Sequence, residues 1–269
     1  MKIKFYANTA QGKRPRQEDN FTILDFPTTG QQIAAVADGM GGHPKGAEAS
    51  CAAISPLQQL FGSTAFRSGE EVAKEMRRVM RMADDAVAGA LSFFYEQLLR
   101  QLGFTETADI GNYRHGPGST LTVVAAHPDA PYQLVLGHIG DSRAYLLRQR
   151  EEDGALGIKQ LTRDHSEGPY IDRALGNWDS DRSVRSNWQL DENGKPTPYD
   201  VSIVKVRTGD MILLCSDGIH GVLSDQQILS ALHAPFHLSH EGLPAAVVRD
   251  ALNAGSSDNC TVVLGVVES

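Results

Sequence analysis

The order of apolar segments predicts an α+β fold of mainly antiparallel sheets with helices packed on their outer faces. Three observations carry this expectation. Apolar runs of strand length recur along the chain, most of them beside Gly, Asp or Asn. They come in consecutive groups, not in strict alternation with helices, which disfavours a doubly wound parallel sheet. Only a few segments carry the three- and four-residue apolar spacing of an amphipathic helix.

From the N-terminus, residues 3–6, 21–24 and 33–37 read as strands. Residues 47–60, rich in small and apolar side chains, read as a helix. Residues 70–102 read as a second helix, with a break expected near Gly89. Strands follow at 121–125, 134–139, 144–147, 201–206 and 211–215, and a last one at 261–267. Ser224 with Gln227 three residues on has the form of a capping box and starts a third helix, and residues 243–252 form a fourth. Segments 103–118 and 176–200 read as loops. At 269 residues the chain can hold one large domain or two small ones, and its interleaved elements predict one integrated domain over residues 1–269.

Composition narrows the function classes. With 41% hydrophobic and 22% charged residues the chain is an ordinary globular sequence, not disordered, collagenous or coiled coil. Its 25 basic and 33 acidic side chains leave a net charge of −8, which argues against a nucleic-acid partner. Cys51, Cys215 and Cys260 are odd in number and lack C-x-x-C spacing, so neither a disulfide framework nor a thiolate zinc site is expected. The first ten residues lack an apolar signal region, and no stretch reaches the about 18 apolar residues that span a bilayer. A cytoplasmic protein, neither secreted nor membrane-bound, is the expectation.

The informative pattern is Asp placed at strand ends beside glycine in four distant segments. Ile33 to Ala37 ends in Asp38-Gly39-Met40-Gly41-Gly42-His43, and Met211 to Cys215 ends in Ser216-Asp217-Gly218. Residues 134–139 lead into Gly140-Asp141-Ser142-Arg143, and Ser257-Asp258-Asn259 precedes the last strand. Taken singly, Asp-Gly is turn chemistry. Four such carboxylates at the rims of buried strands need cations or hydrogen bonds to offset their desolvation. All-oxygen ligands suit Mg²⁺ or Mn²⁺ better than zinc. Residues 12–20 add two carboxylates, Glu18 and Asp19, and an arginine fork for phosphate, where the plain alternative is a solvated charged loop. Gly39 to Gly42 lacks the G-x-x-x-x-G-K-[ST] arrangement, so ATP binding is not expected.

Eight motifs in order carry a family resemblance: G-x-R-x-x-Q-E-D at 12–19, V-A-D-G-M-G-G-H at 36–43, G-S-T-L at 118–121, G-D-S-R-A-Y at 140–145, L-T-x-D-H-S at 161–166, R-A-L-G at 173–176, L-L-C-S-D-G at 213–218 and S-D-N-C-T at 257–261. The sequence resembles the metal-dependent serine/threonine protein phosphatases of the 2C type, the PPM family, and its bacterial branch in particular. The resemblance implies a central sandwich of two antiparallel β-sheets flanked by α-helices, with two core Mg²⁺ or Mn²⁺ ions at one end and a third, weaker one. It implies that Asp38 bridges two metals, Gly39 offers its carbonyl, Asp217 and Asp258 hold the other ion, and Glu18 and Asp19 bind directly or through water. Asn259 supports the cluster, Asp141 helps hold the third metal, and Arg14 binds phosphate. A water bridging the cations would attack phosphorus in line, so Cys215 is not the nucleophile. His165 is expected to be structural. The implied partners are phosphorylated proteins and a serine/threonine kinase pathway, and a monomer is expected. The alternatives are a catalytically silent phosphoprotein-binding module on the same fold, or a metal-dependent hydrolase of small phosphate esters.

Departures from the family pattern set further expectations. Met40 stands where eukaryotic members carry the histidine proposed as general acid, and His43 follows three residues on, as in many bacterial members. Only residues 167–172 separate D-H-S from R-A-L-G, so the usual flap is expected to be absent, with residues 179–199 partly covering the metal face. Residues 103–115 are a second elaboration. Substrate selection is expected in these variable regions.

Overall fold

The run Ile33 to Ala37 is fully buried because both faces of its strand are covered. In β3 (Gln31–Met40) the side chains of Ile33, Ala35 and Ala37 meet helices, while Ala34 and Val36 meet a second sheet. The computed structural model describes residues 1–40, 45–60, 68–101, 118–167, 170–178, 189–190, 194, 196–233 and 239–268.

β3 lies in a six-stranded sheet of order β15, β6, β5, β3, β2. Its other members are β2 (Asp19–Phe26), β5 (Leu121–Ala126), β6 (Gln133–Ile139) and β15 (Asp200–Lys205), with the short β4 (Gly118–Ser119) paired to the end of β3. The opposing sheet runs β1 (Lys2–Ala10), β17 (Cys260–Glu268), β16 (Met211–Cys215), β7 (Arg143–Gln149) and β8 (Leu156–Gln160). All pairings in both sheets are antiparallel. Three small hairpins stand outside them: β9 (Ser166–Glu167) with β10 (Tyr170–Ile171), β11 (Arg173–Ala174) with β12 (Asn177–Trp178), and β13 (Gln189–Leu190) with β14 (Pro196–Thr197).

Four layers result. Ala34, Val36, Val124 and Leu136 from one sheet pack against Ala144, Leu146, Leu214 and Val263 from the other. Helices α1 (Gly46–Leu60) and α2 (Gly69–Gln101) cover the six-stranded sheet through Ala53, Leu57, Met76 and Met80. The short α3 (Asp217–His220), α4 (Asp225–Leu232) and α5 (Leu243–Asn253) cover the other through Ile219, Ile228, Val247 and Ala251. Among the described residues no helix is long and apolar enough to cross a membrane.

The expected helices and strands are present within a few residues of their expected bounds, and the capping box at Ser224 is formed. Three features differ. Helix α2 runs through Gly89 without a break: the site is exposed and empty around its Cα, and a helical glycine costs only about 1 kcal/mol. Strand β8 was not expected, because its edge position buries only Leu156 and Ile158, and those in part. Between D-H-S and R-A-L-G, Glu167 pairs with Tyr170 in β9/β10, and the Asp172 amide donates to the His165 carbonyl at 2.9 Å. Of the expected loop at 103–118 and the elaboration at 103–115, residues 103–117 lie outside the described residues. Within the expected loop 176–200 the described residues include β12, β13 and β14, and residues 179–188 of the segment expected to cover the metal face (179–199) lie outside the described residues.

One side chain joins the sheets at the β1 edge. The Gln32 amide accepts from the Ile3 N–H at 2.7 Å and donates to the Ile3 carbonyl at 2.8 Å, standing in for the neighbouring strand that an edge lacks. Replacing it by an apolar side chain leaves two buried backbone groups unpartnered. Gln32→Leu is expected to lower stability by about 1–3 kcal/mol in urea unfolding, and a wild-type midpoint would contradict this role.

Candidate metal centre

Strand register decides which ends of the chain meet. Asp19 of β2 stands directly opposite Asp38 of β3. Leu121 opposite Ile139 brings the Gly140–Asp141 turn beside Thr120. In the other sheet, Cys215 lies opposite both Arg143 and Val262, so Asp217 and Asp258 leave β16 and enter β17 at the same end. Ala10 opposite Cys260 delivers the loop with Arg14 and Glu18 to that end too. Asp38 itself sits two residues inside β3, not at its end, because β4 prolongs the strand through pairing with Gly39 and Met40.

The carboxylates crowd one another. Burial, then the charges of Asp19, Asp217 and Asp141, push the Asp38 carboxyl well above the usual range. Contact with Asp217 adds to the rise at Asp38, and Asp217's own carboxyl is raised by burial and by Asp258. Burial raises Asp19 to about 6 and Asp141 to about 7, with Asp217 adding to both. Burial also raises Glu18. Arg14 provides positive charge: its Nη2 lies 2.6 Å from Asp258 Oδ2, and that hydrogen bond, with the charges of Asp258, Asp217 and Asp38, holds the guanidinium above its ordinary value.

Neutral groups fix the frame. Ser216 Oγ donates to Asp19 Oδ2 at 2.7 Å and accepts from the Thr261 amide. Thr120 Oγ1 accepts from the Asp38 amide at 2.9 Å, and its own amide donates to the Asp38 carbonyl at 2.9 Å. Asn259 Oδ1 accepts from the Glu18 amide, while its Nδ2 donates to the carbonyls of Gln11 and Arg16. Its support of the cluster is thus to tie down the 11–18 loop. Ser216 and Thr120 lay inside motifs already noted, yet nothing in their spacing marked them as the groups that orient Asp19 and Asp38.

The residues fit hard divalent cations. Asp19 Oδ1, Asp141 Oδ1 and Asp217 Oδ1 are buried with no hydrogen-bond partner. The Gly39 carbonyl oxygen and Glu18 Oε1 both lie within 3 Å of the place a Cβ on Gly46 would fill, so Gly46 keeps a cradle open between two oxygen donors. Every available donor is an oxygen, as Mg²⁺ and Mn²⁺ prefer. Among the described residues no three such side chains already form the tight array of an assembled coordination sphere. Asp258 is turned to Arg14, at 2.6 Å. Gly41, Gly42 and His43 lie outside the described residues. Cys215 faces the helical core, where burial pushes its thiol up and leaves it unreactive.

The charge balance has a measurable signature. The Asp141 carboxyl titrates near 3.8 unfolded and about 7 folded, so the folded chain retains a proton that the unfolded chain has released. The resulting stability falls as pH rises from about 4 and is gone above about 7. In EDTA, Asp141→Asn is therefore expected to exceed wild type in stability by roughly 1–4 kcal/mol at pH 8, with the gap shrinking at pH 5. Urea titrations showing the same gap at both pH values would refute the strained-carboxyl account.

Comparison with known proteins agrees with this geometry. Residues 10–253 match the family model described as Protein phosphatase 2C. The serine/threonine phosphatase stp of Listeria monocytogenes is 28% identical over 256 residues, covering 93% of this chain and 90% of its own. The protein phosphatase PhpP of Streptococcus pneumoniae is 30% identical over 268 residues, covering 98% and 96%. Among solved structures, the Mycobacterium tuberculosis serine/threonine phosphatase PstP/Ppp superposes with a TM-score of 0.71 at 28% identity, covering 100% of each chain. The PstP catalytic domain in complex with two manganese ions gives 0.69 at 28% identity, covering 99% of each. Shared sequence over nearly the whole length and a shared sandwich place the chain in one family: it belongs to the protein phosphatase 2C family.

Proposed function

We propose that this chain is a divalent-cation-dependent phosphoprotein phosphatase that hydrolyses phosphoserine and phosphothreonine, opposing serine/threonine kinases. The observation that carries the reading is the cluster of buried Asp19 with half-buried Asp38, Asp141 and Asp217, three of them with a buried, unpartnered oxygen, facing the guanidinium of Arg14. Such a cluster disfavours its own ionisation and is completed by cations.

Asp38, Asp217, Asp258, Asp19, Glu18 and the Gly39 carbonyl are the groups that would hold two core Mg²⁺ or Mn²⁺ ions, and Asp141 would hold a third. When bound, such cations make a water nucleophilic at neutral pH and take up charge on phosphoryl oxygens. Arg14 reaches the cluster from an exposed loop and is the group to bind the phosphate, its planar fork matching two phosphoryl oxygens. Its present partner, Asp258, is a carboxylate in the place that an anionic substrate oxygen would take. Ser216, Thr120 and Asn259 hold these groups still, so little reorganisation is needed as charge develops. Residues 1–269 act as one catalytic domain, and the partners are phosphorylated proteins. The three unpaired thiols suit a reducing compartment, the cytoplasm.

The test is phosphate release from a phosphothreonine peptide. Turnover is expected with Mn²⁺ or Mg²⁺ and none in EDTA. Asp38→Ala should remove nearly all of it, Arg14→Ala should raise KM more than it lowers kcat, and a thiol reagent should leave it largely intact. Wild-type turnover by the Asp38 variant would overturn the reading, and activity lost only to the thiol reagent would point to cysteine chemistry.

A further inference from the structure

Two motifs have no part in the cluster itself: D-H-S at 164–166 and R-A-L-G at 173–176. Their buried members meet at the turn that carries Asp141. His165 Nδ1 accepts from the Gly140 amide at 3.2 Å, and the His165 amide donates to the Gly140 carbonyl at 2.8 Å. Its other nitrogen, Nε2, lies 3.2 Å from Asp200 Oδ2, which fixes the tautomer: Nε2 carries the proton and Nδ1 is free to accept. Asp200 is held in turn beside Arg173, whose guanidinium lies 3.7 Å from Oδ1 and donates to the Pro198 carbonyl at 3.2 Å. Gly140 has φ of +102°, and a Cβ there would collide with Thr120, so the turn is tight and specific to glycine.

The next peptide unit is held from the opposite sheet. His220, the last residue of α3, donates from Nε2 to the Asp141 carbonyl at 3.0 Å. A carbonyl oxygen only accepts, so Nε2 carries the proton. The helix that holds His220 begins at Asp217, so one short helix supplies both a carboxylate of the cluster and a grip on its neighbour. Both backbone groups of Gly140 and the carbonyl of Asp141 are thereby fixed by imidazoles or their main chain, while Asp141 Oδ1 is left buried and unpartnered.

We propose that His165 and His220 are positioning residues that clamp the Gly140–Asp141 turn and so set the affinity of the cation held by Asp141. The inference rests on the reading of Asp141 as a ligand for a third, weak ion. Residues behind metal ligands typically change affinity by about 10–100-fold. The side-chain hydrogen bonds of both histidines run to Gly140, Asp141 and Asp200, not to Asp38 or Asp217, so the effect should be confined to the weak site.

The experiment is a Mn²⁺ titration of the metal-free 269-residue chain, with free Mn²⁺ read by electron paramagnetic resonance. Wild type is expected to show tight binding followed by a weak step, and Asp141→Asn should lose only the weak step. His165→Leu and His220→Leu should weaken that step by about 10–100-fold and leave the tight binding in place. His165→Asn, which keeps an acceptor where Nδ1 was, and His220→Gln, which keeps a donor where Nε2 was, should restore it. Should the leucine variants fail to fold, His165→Gln and His220→Asn misplace the needed atom by one bond in a polar side chain, and the same loss is expected. A weak step unchanged in the misplaced variants would overturn the clamp, as would equal weakening of every step in all variants, which is the mark of a general packing role. If Asp141→Asn itself left the weak step intact, the ligand reading of Asp141 would fall and the inference with it.

Discussion

Carboxylates from four distant segments are forced into one poorly solvated space, and most of what is distinctive in this chain exists to keep them there. In isolation they would separate or stay protonated, since each buried charge raises the pKa of the next. They cannot separate, because they are attached to strands whose register is set by the sandwich core. Asp19 and Asp38 are opposite residues of one ladder, and Asp217 and Asp258 flank a pairing in the facing sheet. Shifting β3 by one residue would exchange Ala34 and Val36, which face the second sheet, with Ile33, Ala35 and Ala37, which face the helices. Core packing therefore holds the acids in conflict, and the conflict creates a demand for positive charge.

The protein meets part of that demand from its own side chains. Arg14 comes to Asp258 across 244 positions of sequence, on a loop pinned by Asn259. If a cation took Asp258, as proposed, it would free a guanidinium beside the proposed phosphate site, and ion binding and phosphate binding would be linked through one carboxylate. Around this exchangeable centre the supporting hydrogen bonds come from neutral hydroxyls, amides and imidazoles, which orient carboxylates without adding charge.

The sequence exposed the layers and the acids but not the connections between them. Continuous apolar runs such as Ile33 to Ala37 show strands buried on both faces, and Asp beside Gly at the ends of such runs stands out because burial makes it costly. Helix α2 appears in its apolar spacing, though its passage through Gly89 does not, since a local penalty of about 1 kcal/mol is overruled by packing elsewhere along the helix. Strand β8 leaves little trace because an edge strand with two half-buried apolar residues looks like a loop. His220 and Asp200 could not be found by spacing at all. Their roles depend on which backbone group lies 3 Å away in another segment, and only the folded register specifies that. Asn259 was expected at the cluster, but the direction of its side chain, toward the 11–18 loop, follows from tertiary contacts alone.

The most direct measurement is a crystal structure grown with Mn²⁺, with the ions located by anomalous scattering. Peaks beside Asp38, Asp217 and Asp258, with Arg14 released from Asp258, are the result expected if the carboxylate cluster is a cation site that governs the phosphate-binding arginine. No anomalous density at the cluster, with the Arg14–Asp258 pair intact at saturating Mn²⁺, would contradict the account.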